Sequence, residues 1–226
     1  MKKLTGTLGI LLVFTLALTC FAGCGSAKEE EVAAEPVKEL PVMATVDTSA
    51  LTLGTAEKGN LRIAFDSDKW LFWEEMNNLG IALTETWEAD YAVNVQCLDN
   101  GEPGVDELTE EHLAMIMEGL AEAGDWIEIP VSELRKLDGE TVAYMECVTS
   151  YTEGFLTYLV ESGTYTQEWV DVNGALLLAM PATRQIQVYS LVDGHLISTV
   201  GTYYDEAHTQ TVIDAVTVAV QTIEII

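Results

Sequence analysis

The chain has 226 residues, with 37 Asp and Glu against 10 Lys and Arg, a formal net charge of −27. A chain this acidic repels phosphate backbones, which excludes nucleic-acid binding and adsorption to anionic lipid through a basic patch. At 49% hydrophobic residues it is too apolar for a disordered acidic tail, so most of it folds.

The first segment reads as an address. Lys2 and Lys3 precede an apolar run from Leu8 to Leu18, which is too short to span a bilayer and has the form of a secretory signal peptide. It ends Phe21-Ala22-Gly23-Cys24-Gly25-Ser26. This resembles the bacterial lipobox, with Phe21 where Leu is usual. The resemblance implies cleavage before Cys24, a diacylglyceryl group on its sulfur, and residence on the outer, extracytoplasmic face of the cell membrane. Two acyl chains anchor a protein stably where one does not. Every acid lies after the cleavage point. Removing Lys2 and Lys3 leaves eight bases against 37 acids, a mature charge of −29.

Residues 24–59 read as an acidic flexible tether, with Lys28-Glu29-Glu30-Glu31, Pro36 and Pro41 and no sustained period. Val42 to Val46 and Leu51 to Leu53 are the places where short edge strands could form instead. Residues 60–226 read as one domain of a size that buries roughly 70% of its unfolded surface.

Turn signals organise that domain. Asp138-Gly139, Asn173-Gly174 and Asp193-Gly194 each separate apolar runs and favour hairpins. A two-residue turn at Asp193-Gly194 pairs Leu191 with Leu196 and Tyr189 with Ser198. Tyr91 to Leu98 alternates as a strand. Thr109 is a candidate N-cap followed by Glu110 and Glu111. Leu113, Ile116, Met117 and Leu120 then recur with helical spacing, and Gly124 stops the run. A second helix starts near Asp205 and carries Ile213, Val216, Val220 and Ile223. Its β-branched content leaves a strand open as the alternative. Hairpins interrupted by a few helices make the fold α+β.

The order of elements resembles a family. The strand Leu61-Arg62-Ile63-Ala64-Phe65-Asp66 leads to Asp68-Lys69-Trp70. Leu137-Asp138-Gly139 introduces the strand Glu140 to Thr149. A late hairpin turns at Val192-Asp193-Gly194, and the chain closes with Thr222-Ile223-Glu224-Ile225. This pattern is similar to the Mog1/PsbP-like fold, whose bacterial relatives include PsbP- and DcrB-like lipoproteins. The resemblance implies an antiparallel β-sheet flanked by helices on both faces. It also implies a binding or assembly role with no shared catalytic residues.

Candidate chemistry is sparse. His112, His195 and His208 fall at surface positions and share no metal-ligand spacing. No P-loop, G-x-G-x-x-G or G-x-S-x-G motif occurs. Cys97 and Cys147 remain after processing, each in a strand. They could form a disulfide, which an extracytoplasmic site permits, or pack as separate small hydrophobes. The loop Asp99 to Glu107 offers hard oxygens from Asp99, Glu102 and Asp106 as a candidate calcium site, without EF-hand spacing; it also reads as a solvated loop. Trp70, Trp126 and Trp169 read as core. Trp73 and Trp87, each beside acids, are the candidate ligand-binding rings.

The leading expectation is a non-catalytic binding or assembly lipoprotein with an envelope protein partner and no cofactor. The alternative is a small-ligand or calcium-binding lipoprotein. The third reading, a paired-carboxylate enzyme, has no motif to support it.

Overall fold

The computed structural model describes residues 39–74, 76, 78–83, 91–98, 107–121, 124 and 126–226. Its strands are β1 (Leu53–Lys58), β2 (Leu61–Asp66), β3 (Trp70–Phe72), β4 (Leu79–Leu83), β5 (Ala92–Cys97), β6 (Ile127–Leu137), β7 (Glu140–Thr149), β8 (Thr183–Val192), β9 (His195–Tyr203) and β10 (Glu224–Ile225). The helices are α1 (Glu110–Ala121), α2 (Glu153–Glu161), α3 (Gln167–Leu178) and α4 (Thr209–Thr222). The strands form a seven-stranded sheet in the order β3-β4-β5-β9-β8-β7-β6 and a three-stranded sheet in the order β1-β2-β10. Every pairing of these strands is antiparallel.

Strand alternation divides the core between two faces of the large sheet. On β7, Val142 and Tyr144 join the cluster of Val212, Ala215 and Val216 from α4. Their neighbours Ala143, Met145 and Cys147 join the cluster of Leu113, Ile116 and Leu120 from α1. Helices therefore cover both faces, the α+β architecture expected.

The two Asp-Gly hairpins form as the dipeptides require. Asp138 and Gly139 have φ of 52° and 90°, and Asp193 and Gly194 have 51° and 78°. Both central residues of each turn are left-handed, the primed geometry that suits twisted strands. Leu191 pairs with Leu196 and Tyr189 with Ser198, in the expected register. The segment after Asp205 is helical despite its β-branched residues. Val212 and Val216 are fully buried, worth about 1.5–3 kcal/mol each, against at most about 0.7 kcal/mol per residue of lost helix propensity.

Two expectations need correction, and one of the two alternatives left open for the cysteines falls. Asn173-Gly174 is no turn: it lies inside α3, between Val170 and Leu177 of its buried face. Thr166 caps that helix by accepting from Trp169 N at 3.2 Å, and tertiary burial overrides the local dipeptide.

The tether does not run to residue 59. Strand β1 pairs along the whole of β2. Further upstream, Met43 N donates to Lys136 O and Lys136 N to Pro41 O, both at 2.8 Å. The chain there covers the open edge of β6, which would otherwise present unpaired backbone groups.

Cys97 and Cys147 are not joined. They lie on β5 and β7, with β9 and β8 between them. Three strand spacings amount to about 14 Å, beyond the reach of a disulfide. They also belong to clusters on opposite faces of the sheet.

Candidate functional site

The α2–α3 hairpin connects β7 to β8 and builds a small core of its own. Thr152 caps α2 by accepting from Phe155 N at 3.2 Å. Phe155 then meets the Trp126 ring at 4.9 Å and the Tyr151 ring at 5.2 Å, both edge-on. Tyr151 Oη and Thr183 Oγ1, 2.8 Å apart, tie this cluster to the start of β8. From α3, Val170, Gly174 and Leu177 face inward. Tyr165 stacks on Trp169 at 3.9 Å between centroids.

The outward side of α3 is also apolar. Val172 is 76% exposed and Leu176 52%, one turn apart, with Leu178 at 38%. A helix on a surface normally turns charges outward. Here Val172 and Leu176 form an exposed apolar stripe in line with Glu168, on the side away from Val170, Gly174 and Leu177. Between α2 and α3 runs a groove of about 540 Å³, walled by Leu156, Val160, Val170 and Gly174. Glu153 and Glu161 stand on its α2 side and Asp171 on its α3 side. Glu168 is exposed in the first turn of α3. No Lys, Arg or His occurs from Tyr151 to Ala182.

A second concavity, of about 400 Å³, opens at the turn end of the large sheet. Lys136, Asp138, Thr141, Ser190 and Gln221 line it. Gln221 bridges two segments: its Nε2 donates to Asp138 Oδ2 at 2.8 Å, and its Oε1 accepts from Val46 N at 3.1 Å. Lys136 Nζ donates to Thr141 Oγ1 at 2.8 Å. The Ser190 hydroxyl is buried there with no protein partner among the described residues.

A third cluster sits where β9 leads into α4. Tyr91 Oη donates to Asp205 Oδ2 at 2.6 Å, and His208 Nδ1 lies 2.8 Å from Asp205 Oδ1. These hydrogen bonds, that from Tyr91 foremost and then that from His208, hold the Asp205 carboxyl below its ordinary value. The Asp205 side chain also accepts from His208 N at 3.2 Å, so its arrangement is that of a helix cap.

The residues nominated from sequence do not converge. Trp73 is half-buried against Met76 and Ala92. Trp70 and Trp126 are core, and Trp169 is half-buried in its stack with Tyr165. Cys24, Trp87, Asp99, Glu102 and Asp106 lie outside the described residues. His112 serves its own helix: its Nδ1 accepts from Thr109 N at 3.2 Å, a reciprocal cap at the start of α1. Burial, with help from the Glu146 charge, pushes the Cys147 thiol up to about 12, so it is no nucleophile. Among the described residues no three His, Cys, Asp or Glu side chains are grouped to hold a metal ion. The exposed stripe of α3 had no sequence signal that separated it from core.

No family model matches the chain, and no curated protein matches it. Several solved structures are similar, two of them as follows. Cyanobacterial PsbP from Synechocystis is 11% identical, with 81% of this chain and 98% of that chain covered at a TM-score of 0.44. The Ran-binding protein Mog1p of Saccharomyces cerevisiae is 7% identical, with 78% and 96% covered at a TM-score of 0.44.

Proposed function

We propose that this protein is a non-catalytic binding lipoprotein of the cell envelope, held by lipid on Cys24, which presents the outward side of α3 to a protein partner. The carrying observation is the exposure of Val172 and Leu176 on a helix whose other side is already packed. Full burial of such side chains is worth about 1.5–3 kcal/mol each. Leaving them in water forgoes that stabilisation until something covers them. The anchor rests on Lys2 and Lys3, the Leu8 to Leu18 run and Ala22-Gly23-Cys24. Palmitate labelling of cells expressing the chain and its Cys24→Ala variant tests it. Label on the wild type alone, with the wild type in the membrane fraction, is the expected result. Label that survives the substitution overturns the anchor.

A second reading draws support from the cleft at Ser190, whose buried hydroxyl lacks a protein partner. A small polar ligand there would satisfy it. A thermal-shift screen reads this directly, and Ser190→Ala abolishes any shift that arises at this site. Millimolar calcium belongs in the same screen, because Asp99, Glu102 and Asp106 are its candidate ligands.

A further inference from the structure

We infer that the cleft at the turn end of the large sheet takes a free oligopeptide of two or three residues. The peptide lies extended between β7 and β8, as a short added strand, with its amino end at the mouth. This deepens the second reading above and rests on it, that the cleft at Ser190 is a ligand site.

Two hairpins part at the cleft. The ladder between β7 and β8 ends at Ala143 and Tyr189. The β6–β7 hairpin runs on to Leu137 and Glu140, and the β8–β9 hairpin to Val192 and His195. Between residues 140–142 and 190–192 this leaves a notch three residues deep, about 10 Å. Its walls come from both faces of the sheet. Leu108 and Leu191 belong to the cluster on the α1 face, and Leu137, Val142, Val192 and Val220 to the cluster on the α4 face. The cleft therefore passes through the plane of the sheet.

Backbone groups point into the notch from both sides. Lys136 spends its N–H on Pro41 and its C=O on Met43, outside the hairpin. Its cross-strand partner Thr141 therefore turns its own N–H and C=O away from β6, toward β8. Leu196 O accepts from Leu98 N on the far side of β9, so its partner Leu191 likewise faces β7. The β7–β8 ladder reaches neither residue. Facing strand edges are a template for an added strand. Successive residues of an extended peptide turn N–H and C=O to opposite sides, one to Thr141 and the next to Leu191. Their side chains alternate between the two faces, as the walls do. Because the notch closes at Ala143 and Tyr189, the occupant ends there.

Charge and the buried hydroxyl set the direction. Glu107, Asp138 and Glu140 are exposed at the mouth, against the single cation Lys136. That balance favours an ammonium at the mouth, and the carboxyl end then lies at the base. Ser190 is 5% exposed and lines the base, with a hydroxyl that has no protein partner among the described residues. It donates to the carboxyl end.

The test uses the full chain in zwitterionic nanodiscs, with empty nanodiscs as the blank. Main-chain bonding is tolerant of sequence, so the tripeptide Val-Ala-Val serves as the probe. Calorimetry measures binding, and hydrogen exchange read by mass spectrometry locates it. Val-Ala-Val binds and slows exchange at Thr141 and Leu191. Its N-acetyl form binds about threefold more weakly. The form N-methylated at Ala lacks a ladder donor and binds about tenfold more weakly. Ser190→Ala weakens Val-Ala-Val about tenfold, enough to abolish its thermal shift. Glu107→Gln with Glu140→Gln weakens it about threefold and leaves the N-acetyl form unchanged. Glu118→Gln with Glu168→Gln changes net charge equally but elsewhere, and alters neither. The substituted acids are all exposed, and thermal melting checks the fold of each variant.

Equal binding of the N-methylated form, or binding that leaves exchange at Thr141 and Leu191 unchanged, overturns the inference. If Val-Ala-Val gives no heat while another compound gives a thermal shift that Ser190→Ala abolishes, the ligand reading stands and the peptide falls. If nothing shifts, the cleft holds water only, and both fall.

Discussion

Gly201 of β9 lies directly beneath Val212 of α4: a Cβ built on it would stand 2.4 Å from Val212 Cγ1 and 2.6 Å from Val216 Cγ2. The helix thus rests on strand backbone, and both valines have stiff, branched side chains that cannot turn aside. Gly201→Ala forces α4 away from the sheet and costs about 1–3 kcal/mol. Gly174→Ala makes the matching contrast. Its Cβ would meet only the Cδ1 end of the Leu156 side chain at 3.0 Å, which a small rotamer change can shift, while the helix gains about 1 kcal/mol of propensity. Urea unfolding shows the first variant clearly weakened and the second within about 1 kcal/mol of the parent. Equal effects would mean that α4 is not seated on β9 as described.

These two glycines also show what sequence can and cannot convey. Asp193-Gly194 set the register of β8 and β9, because a two-residue turn leaves no other pairing. Thr109, Glu110 and the spacing of Leu113, Ile116 and Leu120 marked α1, because cap and period agree. Asn173-Gly174 misled, because a dipeptide reports local preference while α3 is held by burial of Val170 and Leu177. Strand β1 was hidden for a related reason. Only Ala56 of it is buried, so it has no apolar alternation and exists by pairing with β2. Strand β6 carries Pro130, which argues against a central strand. It is an edge strand, and its register shifts between Glu128 and Val131. The docking face was illegible because Val172 and Leu176 have the composition of core, and only packing reveals which apolar side chains stay outside.

Asp205 gives the fold an acid-sensitive joint. Its carboxylate accepts from Tyr91 and holds His208, and its affinity for protons is lowered. A carboxyl depressed in the folded state stabilises it above the ordinary value of about 4. That contribution fades as pH falls through the lower folded value. Asp205→Asn is therefore less stable than the parent above about pH 5, and the margin closes in more acid solution. Thermal melts from pH 7 to pH 2.5 measure it. A margin that does not change with pH would show that the carboxylate charge contributes nothing.

The cysteines supply a covalent check on strand order. With β9 and β8 between them, Cys97 and Cys147 stay reduced even outside the cytoplasm. Iodoacetamide in denaturant without reductant labels both. In the folded protein at pH 8, Cys147 reacts slowest, because burial holds its thiol near 12. A mass lower by two hydrogens, with neither cysteine labelled, would contradict the sheet order β5-β9-β8-β7.

The most direct test of the docking face uses the protein in intact cells. A photoreactive residue replaces Leu176, and in parallel Glu118 of α1 and Glu140 at the turn-end cleft, on the full chain. Illumination should give a defined protein adduct from position 176 and none from 118 or 140. The adduct should vanish when Val172→Glu is added. An adduct from position 140 alone would move function to the cleft and contradict the account.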